Sequence, residues 1–167
     1  MMKTLFAVLA VAALSVHSYS QSTHTGRKAP DFSLEDLSGN VAELKSFLGK
    51  GPVVINFWAT WCKPCLDELA EFQKLYVAYE DKGVTILALS TDSEKSVSKV
   101  KPFVRAKKYS LMFLLDTNSD VARLYYAQTM PFTVIVNKTG NIVYSHLGYK
   151  KGDELEVRKV VDELLKN

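Results

Sequence analysis

The sequence predicts an α/β domain, on three observations. Short apolar runs alternate with longer amphipathic stretches, in the order β-α-β-α-β-α-β-β-α from residue 53 onward. The only two cysteines of the 167 residues stand three apart at one of the strand-to-helix corners. Two short alternating segments precede that series and read as a β-hairpin.

Ahead of the domain, Met1–Ser20 carries Lys3 as its only charge, an apolar segment over Leu5–Val16, and small residues at Ser18 and Ser20. That order is that of a secretory signal peptide, which places the protein in an exported, periplasmic compartment and suits a thiol pair kept out of the reducing cytosol. The alternative is a retained N-terminal membrane anchor, although the apolar part is short for a span. No cysteine stands at the cleavage site to take a lipid. Residues 21–28 read as a flexible lead-in and 29–167 as one domain. Without Lys3 the remaining chain has 20 basic residues (21 less 1) against 18 acidic ones. That balance makes no case for nucleic acid or a membrane surface as partner.

The elements follow in order. Ala29–Leu34 alternates and reads as a strand, Leu37–Asn40 as a turn, and Val41–Leu44 as the returning strand. Lys45–Leu48 is a short helical piece broken by Gly49-Lys50-Gly51-Pro52. Val53–Ala59 is apolar and β-branched at its start, hence a buried strand. An amphipathic helix begins past Trp61, with Cys65, Leu69, Phe72, Tyr76 and Tyr79 at spacings of three and four, and stops at Asp81-Lys82-Gly83. Val84–Leu89 is a central strand. Ser93 is placed to cap a helix over Glu94–Lys108, bent at Pro102. Leu111–Leu115 is a strand and Asp120–Tyr125 a short helix. Phe132–Val136 and Ile142–Leu147 flank a hairpin turn over Asn137–Asn141, and Asp153–Lys166 closes the chain as an amphipathic helix.

The chemistry sits at Trp61-Cys62-Lys63-Pro64-Cys65. Two cysteines three apart in a first helical turn share a face, so their sulfurs reach bonding distance. Cys62 falls at the helix N-terminus, where free N–H groups and the macrodipole favour a thiolate, and Lys63 adds a charge beside it. Pro64 gives up an N–H that has no helical partner there. A zinc site needs about four ligands, which His17, His24 and His146 would have to complete from far away. A structural disulfide closing so short a loop removes little unfolded-state entropy. The pair therefore reads as a redox dithiol.

Phe57-Trp58-Ala59-Thr60-Trp61-Cys62-Lys63-Pro64-Cys65 resembles the active site of the thioredoxin superfamily, and the chain from Ala29 onward is similar to the exported TlpA/ResA-like thiol-disulfide oxidoreductases, relatives of the AhpC/TSA and Redoxin proteins. The resemblance implies a thioredoxin fold: a central mixed β-sheet flanked by helices, with the N-terminal hairpin and an αβ insertion near residues 94–125 added to the minimal pattern. It implies a reversible Cys62–Cys65 disulfide, with Cys62 the attacking thiolate, exposed at the helix tip, and Cys65 the shielded resolving thiol. It places Pro131 as the cis-proline opposite the pair, with Met130 and Trp61 bordering the substrate and backbone groups there left free for an extended chain. TlpA/ResA-like reductants often carry an acid where Glu68 stands, three residues after Cys65, and Asn56 takes the place of thioredoxin's buried aspartate. Glu68 is then the candidate for proton exchange, against the plainer reading of a solvated helix glutamate. His146 reads as structural. The implied activity is reduction of disulfides in exported proteins, with cytochrome c haem-attachment cysteines the leading substrate, an upstream membrane thiol reductant as donor, no cofactor, no metal and a monomeric state. Two other readings use the same fold. A peroxiredoxin-like peroxidase would need a Pro-x-x-x-Thr-x-x-Cys motif, which is missing here. A copper-binding Sco-type protein would use a Cys-x-x-x-Cys pair one residue longer, with His146 as a distant third ligand.

Overall fold

The computed structural model describes residues 26–166. The signal segment expected over 1–20, His17, His24 and most of the lead-in over 21–28 lie outside the described residues. Seven strands form one sheet: β1 (Ser33–Asp36), β2 (Val41–Glu43), β3 (Val53–Trp58), β4 (Thr85–Ser90), β5 (Met112–Leu115), β6 (Phe132–Val136) and β7 (Ile142–Leu147). The α-helices are α1 (Lys63–Tyr79), α2 (Val100–Lys107), α3 (Asp120–Leu124) and α4 (Asp153–Leu165). The sheet runs β2-β1-β5-β4-β3-β6-β7. β3, β4 and β5 are mutually parallel, and every other pairing is antiparallel. The sheet is therefore mixed, and β3, an interior strand between β4 and β6, is buried along its whole length.

Because a strand alternates its faces, β3 serves two cores. Val54, Asn56 and Trp58 face the side where α1, α2 and α4 pack. There Leu69 and Phe72 of α1, Val100 and Val104 of α2, and Val157 and Val161 of α4 close over Ile86, Ala88 and Ile135. Val53, Ile55 and Phe57 face the other side, under Val121, Ala122 and Tyr125, with Phe32 and Leu44 from the N-terminal segment. The polar Asn56 thus points at α1 from within an apolar strand. β3 and β4 enter through a close approach: a Cβ on Gly51 would stand 2.5 Å from the carbonyl oxygen of Gly83. Gly83 itself ends the α1 segment in the left-handed region, at φ 81°. No helix among the described residues is long and apolar enough to cross a membrane.

Three expectations about elements are corrected. The helix expected from Glu94 starts only at Val100, after a 3-10 turn over Val97–Lys99, and Ser93 caps nothing with its side chain. Pro102 lies in the first turn of α2, where its missing N–H has no intrahelical partner to lose, so it opens the helix instead of bending it. The first strand starts at Ser33, not Ala29, because the preceding residues pair elsewhere. Lys28 bridges to Asn141 and Ala29 N–H donates to Gly140 O at 2.9 Å, lacing the N-terminal segment to the β6–β7 turn. On α1, Leu75 is buried beside the expected face, and Tyr76 packs against the same core but is only partly buried.

Candidate active site

The site begins where β3 leaves the sheet. Ala59–Cys62 form a tight turn, with Cys62 N–H donating to Ala59 O at 3.1 Å. The turn is held from the side by the end of β4. Asp92, wholly buried, accepts from Thr60 N–H at 2.8 Å and from the Thr60 hydroxyl at 2.6 Å, and Ser90 Oγ donates to it at 2.9 Å. Three hydrogen bonds to one carboxylate satisfy a charge that burial would otherwise make costly.

Cys62 is the N-cap of α1. Its sulfur accepts from the N–H of Cys65 at 3.3 Å. An N-cap side chain draws on the second or third helical N–H. Here Pro64 occupies the second position and has none, so the donor is Cys65 itself. Cys62 and Cys65 are joined as a disulfide, their Cα atoms 5.3 Å apart. Cys65 is wholly buried and Cys62 retains 7 % exposure. The expectation of an exposed Cys62 is corrected: the residue is buried in the same core cluster as Trp58 and Ala59. Lys63 is also less available than its position suggests, because its ammonium pairs with Asp67 one turn along, at 2.6 Å on the exposed face of α1.

Three residues along α1 from Cys65, Glu68 is 2 % exposed, so it is no solvated helix glutamate. Asn56 Nδ2 donates to its Oε2 at 2.7 Å, and Thr133 Oγ1 donates to its Oε1 at 3.0 Å. Asn56 and Thr133 are register partners across β3 and β6, which sets both side chains under the same turn of α1. Burial pushes the Glu68 carboxyl up from 4.5 to about 7. The two hydrogen bonds oppose the rise, and the charges of Asp153 and Glu154 add to it. The carboxyl thus titrates where proton exchange with a thiol is efficient at neutral pH.

The opposite wall is the β6 entry. The Met130–Pro131 peptide is cis. Thr91, next to Asp92, reaches Met130 Sδ with its hydroxyl, and its N–H donates to Trp58 O at 2.9 Å. One dipeptide at the end of β4 therefore ties the cysteine turn to the proline wall. Pro131 O already accepts from Gly148 N–H at 2.8 Å, which joins the start of β6 to the end of β7. A cleft of about 430 Å³ lies between Pro64, Met130, Pro131, His146, Leu147 and Tyr149. Trp61 stands beside the dithiol at 68 % exposure, whereas Trp58 is wholly buried. His146 meets Asp153 at 3.2 Å, and no group of three or more His, Cys, Asp or Glu side chains among the described residues is placed to hold a metal ion.

Cys62, Cys65, Glu68, Trp61, Met130 and Pro131 thus border one locality. Sequence reasoning missed Asp92, Thr91 and Thr133. A carboxylate directly after an apolar strand is the one signal that pointed to Asp92, since a polar group at a buried strand end needs partners.

The profile of the AhpC/TSA family matches residues 25–145. The chain is 37% identical over 141 residues to the thiol-disulfide oxidoreductase ResA of Bacillus cereus, covering 83% of this chain and 79% of the relative. It is 38% identical over 138 residues to the thioredoxin-like protein YneN of Bacillus subtilis, with 82% and 79% covered. Among solved structures, the thioredoxin domain of a thiol-disulfide oxidoreductase from Bacteroides vulgatus superposes with a TM-score of 0.71 at 32% identity, covering 84% of this chain and 99% of that one.

Proposed function

The chain belongs to the AhpC/TSA family and is a thiol-disulfide oxidoreductase of thioredoxin fold; from that premise we propose that it is exported and reduces disulfides in other exported proteins through Cys62 and Cys65. The observation that carries the reading is the asymmetry of the pair. Cys62 caps the helix and keeps the pair's residual exposure, while Cys65 is wholly buried three residues before a buried carboxyl that titrates near neutrality.

The reduced protein presents Cys62 as thiolate, held by the Cys65 N–H and the helix N-terminus. That thiolate attacks one sulfur of a substrate disulfide, and the other sulfur leaves as a thiolate. Glu68 takes the proton of Cys65, and the Cys65 thiolate attacks Cys62, forming the Cys62–Cys65 disulfide and releasing the second substrate thiolate. The substrate gains two electrons, its two thiolates take up the proton passed on from Glu68 and one from solvent, and an upstream membrane thiol reductant returns the electrons to the protein. Met130 and Pro131, which line the cleft with Pro64, border the substrate there, and the exposed Trp61 borders it beside Cys62. Removal of 1–20 as a signal peptide gives a monomer acting outside the cytosol. Cytochrome c haem-attachment cysteines are the leading substrate, by the likeness to ResA.

A Cys65→Ser variant has no internal resolver, so its mixed disulfide accumulates and names the partner. Expressed in the native host, it is expected to trap a restricted set of exported proteins. The wild-type potential in glutathione or dithiothreitol buffers is expected near the thioredoxin value of about −270 mV. A potential near the oxidant DsbA at about −120 mV, with unrelated secreted proteins in the trap, would make the enzyme a disulfide former instead.

A further inference from the structure

Asn56 is wholly buried on β3, yet its carboxamide is engaged at one end only. Nδ2 donates to Glu68 Oε2 at 2.7 Å and to Thr133 Oγ1 at 3.1 Å. Oδ1 is sealed from solvent and has no hydrogen-bond partner. A buried orphan acceptor is costly and calls for an explanation. Every hydrogen in this group points toward Glu68: two from Nδ2, one of them by way of Thr133, and one from Thr133 itself. That is the arrangement of an ionised carboxylate, which only accepts. A protonated Glu68 has a hydrogen of its own, and opposite it Nδ2 offers another donor.

Half a turn of the carboxamide exchanges Oδ1 for Nδ2 without moving the backbone. Oδ1 then stands where Nδ2 stood, facing Glu68 Oε2 and the Thr133 hydroxyl as an acceptor for the acid form, and Nδ2 takes the place of the unpartnered Oδ1. We propose that Asn56 is a positioning residue that reverses its carboxamide when Glu68 takes up a proton, so that Glu68 is hydrogen-bonded both as carboxylate and as acid. The inference rests on the reading of Glu68 as the group that exchanges a proton with Cys65. In that step the S–H bond of Cys65 breaks and an O–H bond forms on Glu68. The sulfur keeps the electron pair that then attacks Cys62, and Asn56 contributes no proton.

The residue type fits the task. An aspartate here would set a second carboxylate against Glu68, and like charges at that range cannot both ionise in a buried site. An aliphatic residue would offer neither donor nor acceptor. The other groups facing Glu68 supply no cation: Asp153 and Glu154 of α4 raise its affinity for a proton, and the Tyr144 and Tyr149 hydroxyls are held above their ordinary range first by burial and in small part by its charge.

The experiment is a pH titration of the oxidised protein by NMR, from about pH 5 to pH 9, following the Asn56 side-chain amide and the Glu68 carboxyl carbon. The two are expected to move with one midpoint, and Glu68→Gln is expected to abolish the Asn56 response. An Asn56 amide that stays fixed while Glu68 titrates overturns the proposal. This readout needs no turnover. The separate comparison of pH–rate profiles for wild type and Glu68→Gln tests the parent reading, and superimposable profiles there would remove Glu68 from catalysis whatever Asn56 does. The near-isosteric Asn56→Asp keeps the volume and is expected to shift the wild-type pH–rate midpoint to higher pH, at a proton concentration at least tenfold lower. A profile coincident with wild type counts against the assignment.

Discussion

Glu68 holds a proton tightly enough to make the folded state respond to pH. Its ordinary value is 4.5 and burial carries it to about 7. A carboxyl raised on folding binds its proton more firmly in the native state, so its contribution is full below about pH 4.5 and is lost as pH rises through about 7. At about 1.4 kcal/mol per pH unit, the loss between pH 5 and pH 8 is about 2 kcal/mol. Urea unfolding of the oxidised protein at those two pH values is expected to show that loss in wild type and its absence in Glu68→Gln. Parallel pH dependences in the two proteins would mean that Glu68 is ordinary. The sequence placed Glu68 on the face of Cys65 by the spacing of three. It did not place it in the core, because Thr133 stands 65 residues further along and comes under it only when β6 pairs with β3.

At the scale of elements, the corner between β3 and α1 is legible in the sequence because all its signals are local: an apolar run, an N-cap position, a proline in the first turn. What holds the corner in place is not local. Asp92 stands two residues beyond the end of β4 and closes on Thr60 across 32 residues. Asp92→Ala leaves the Thr60 N–H and two hydroxyls without their acceptor and is expected to cost about 3 kcal/mol in denaturant unfolding. It is also expected to alter the rate at which iodoacetamide alkylates Cys62 in the reduced protein, since the turn it anchors ends at that sulfur. Breaking the exposed Lys63–Asp67 pair by Asp67→Ala is expected to do neither. An Asp92→Ala protein as stable as wild type would show that the turn holds itself. The start of α2 misled for a similar reason. Ser93 has the residue type of a cap, but its carbonyl accepts from Ser96 and Val97 in a tight turn, and the helix waits for Val100, which the core beneath Trp58 and Phe103 buries.

For the whole molecule, the order of elements along the chain was readable and their order across the sheet was not. Strand periodicity says which face is buried, not which neighbour is paired. The N-terminal hairpin is the clearest instance. It reaches the rest of the sheet only through β5, by pairing Glu35 with Leu115 and Asp36 with Leu114. The hairpin and the central insertion, two separate additions along the sequence, are therefore one addition in space. Leu114 is wholly buried, and Leu114→Ala is expected to deprotect β1 amides together with those of β5 in native-state hydrogen exchange. Protection of β1 that survives the loss of β5 would show the hairpin to be independently anchored. The same connection bears on how the chain comes together as it is made. A polypeptide that emerges amino end first presents Ser33–Asp36 early, with one side joined to β2 and the other open, and must keep that open edge from other chains until Met112–Leu115 has followed.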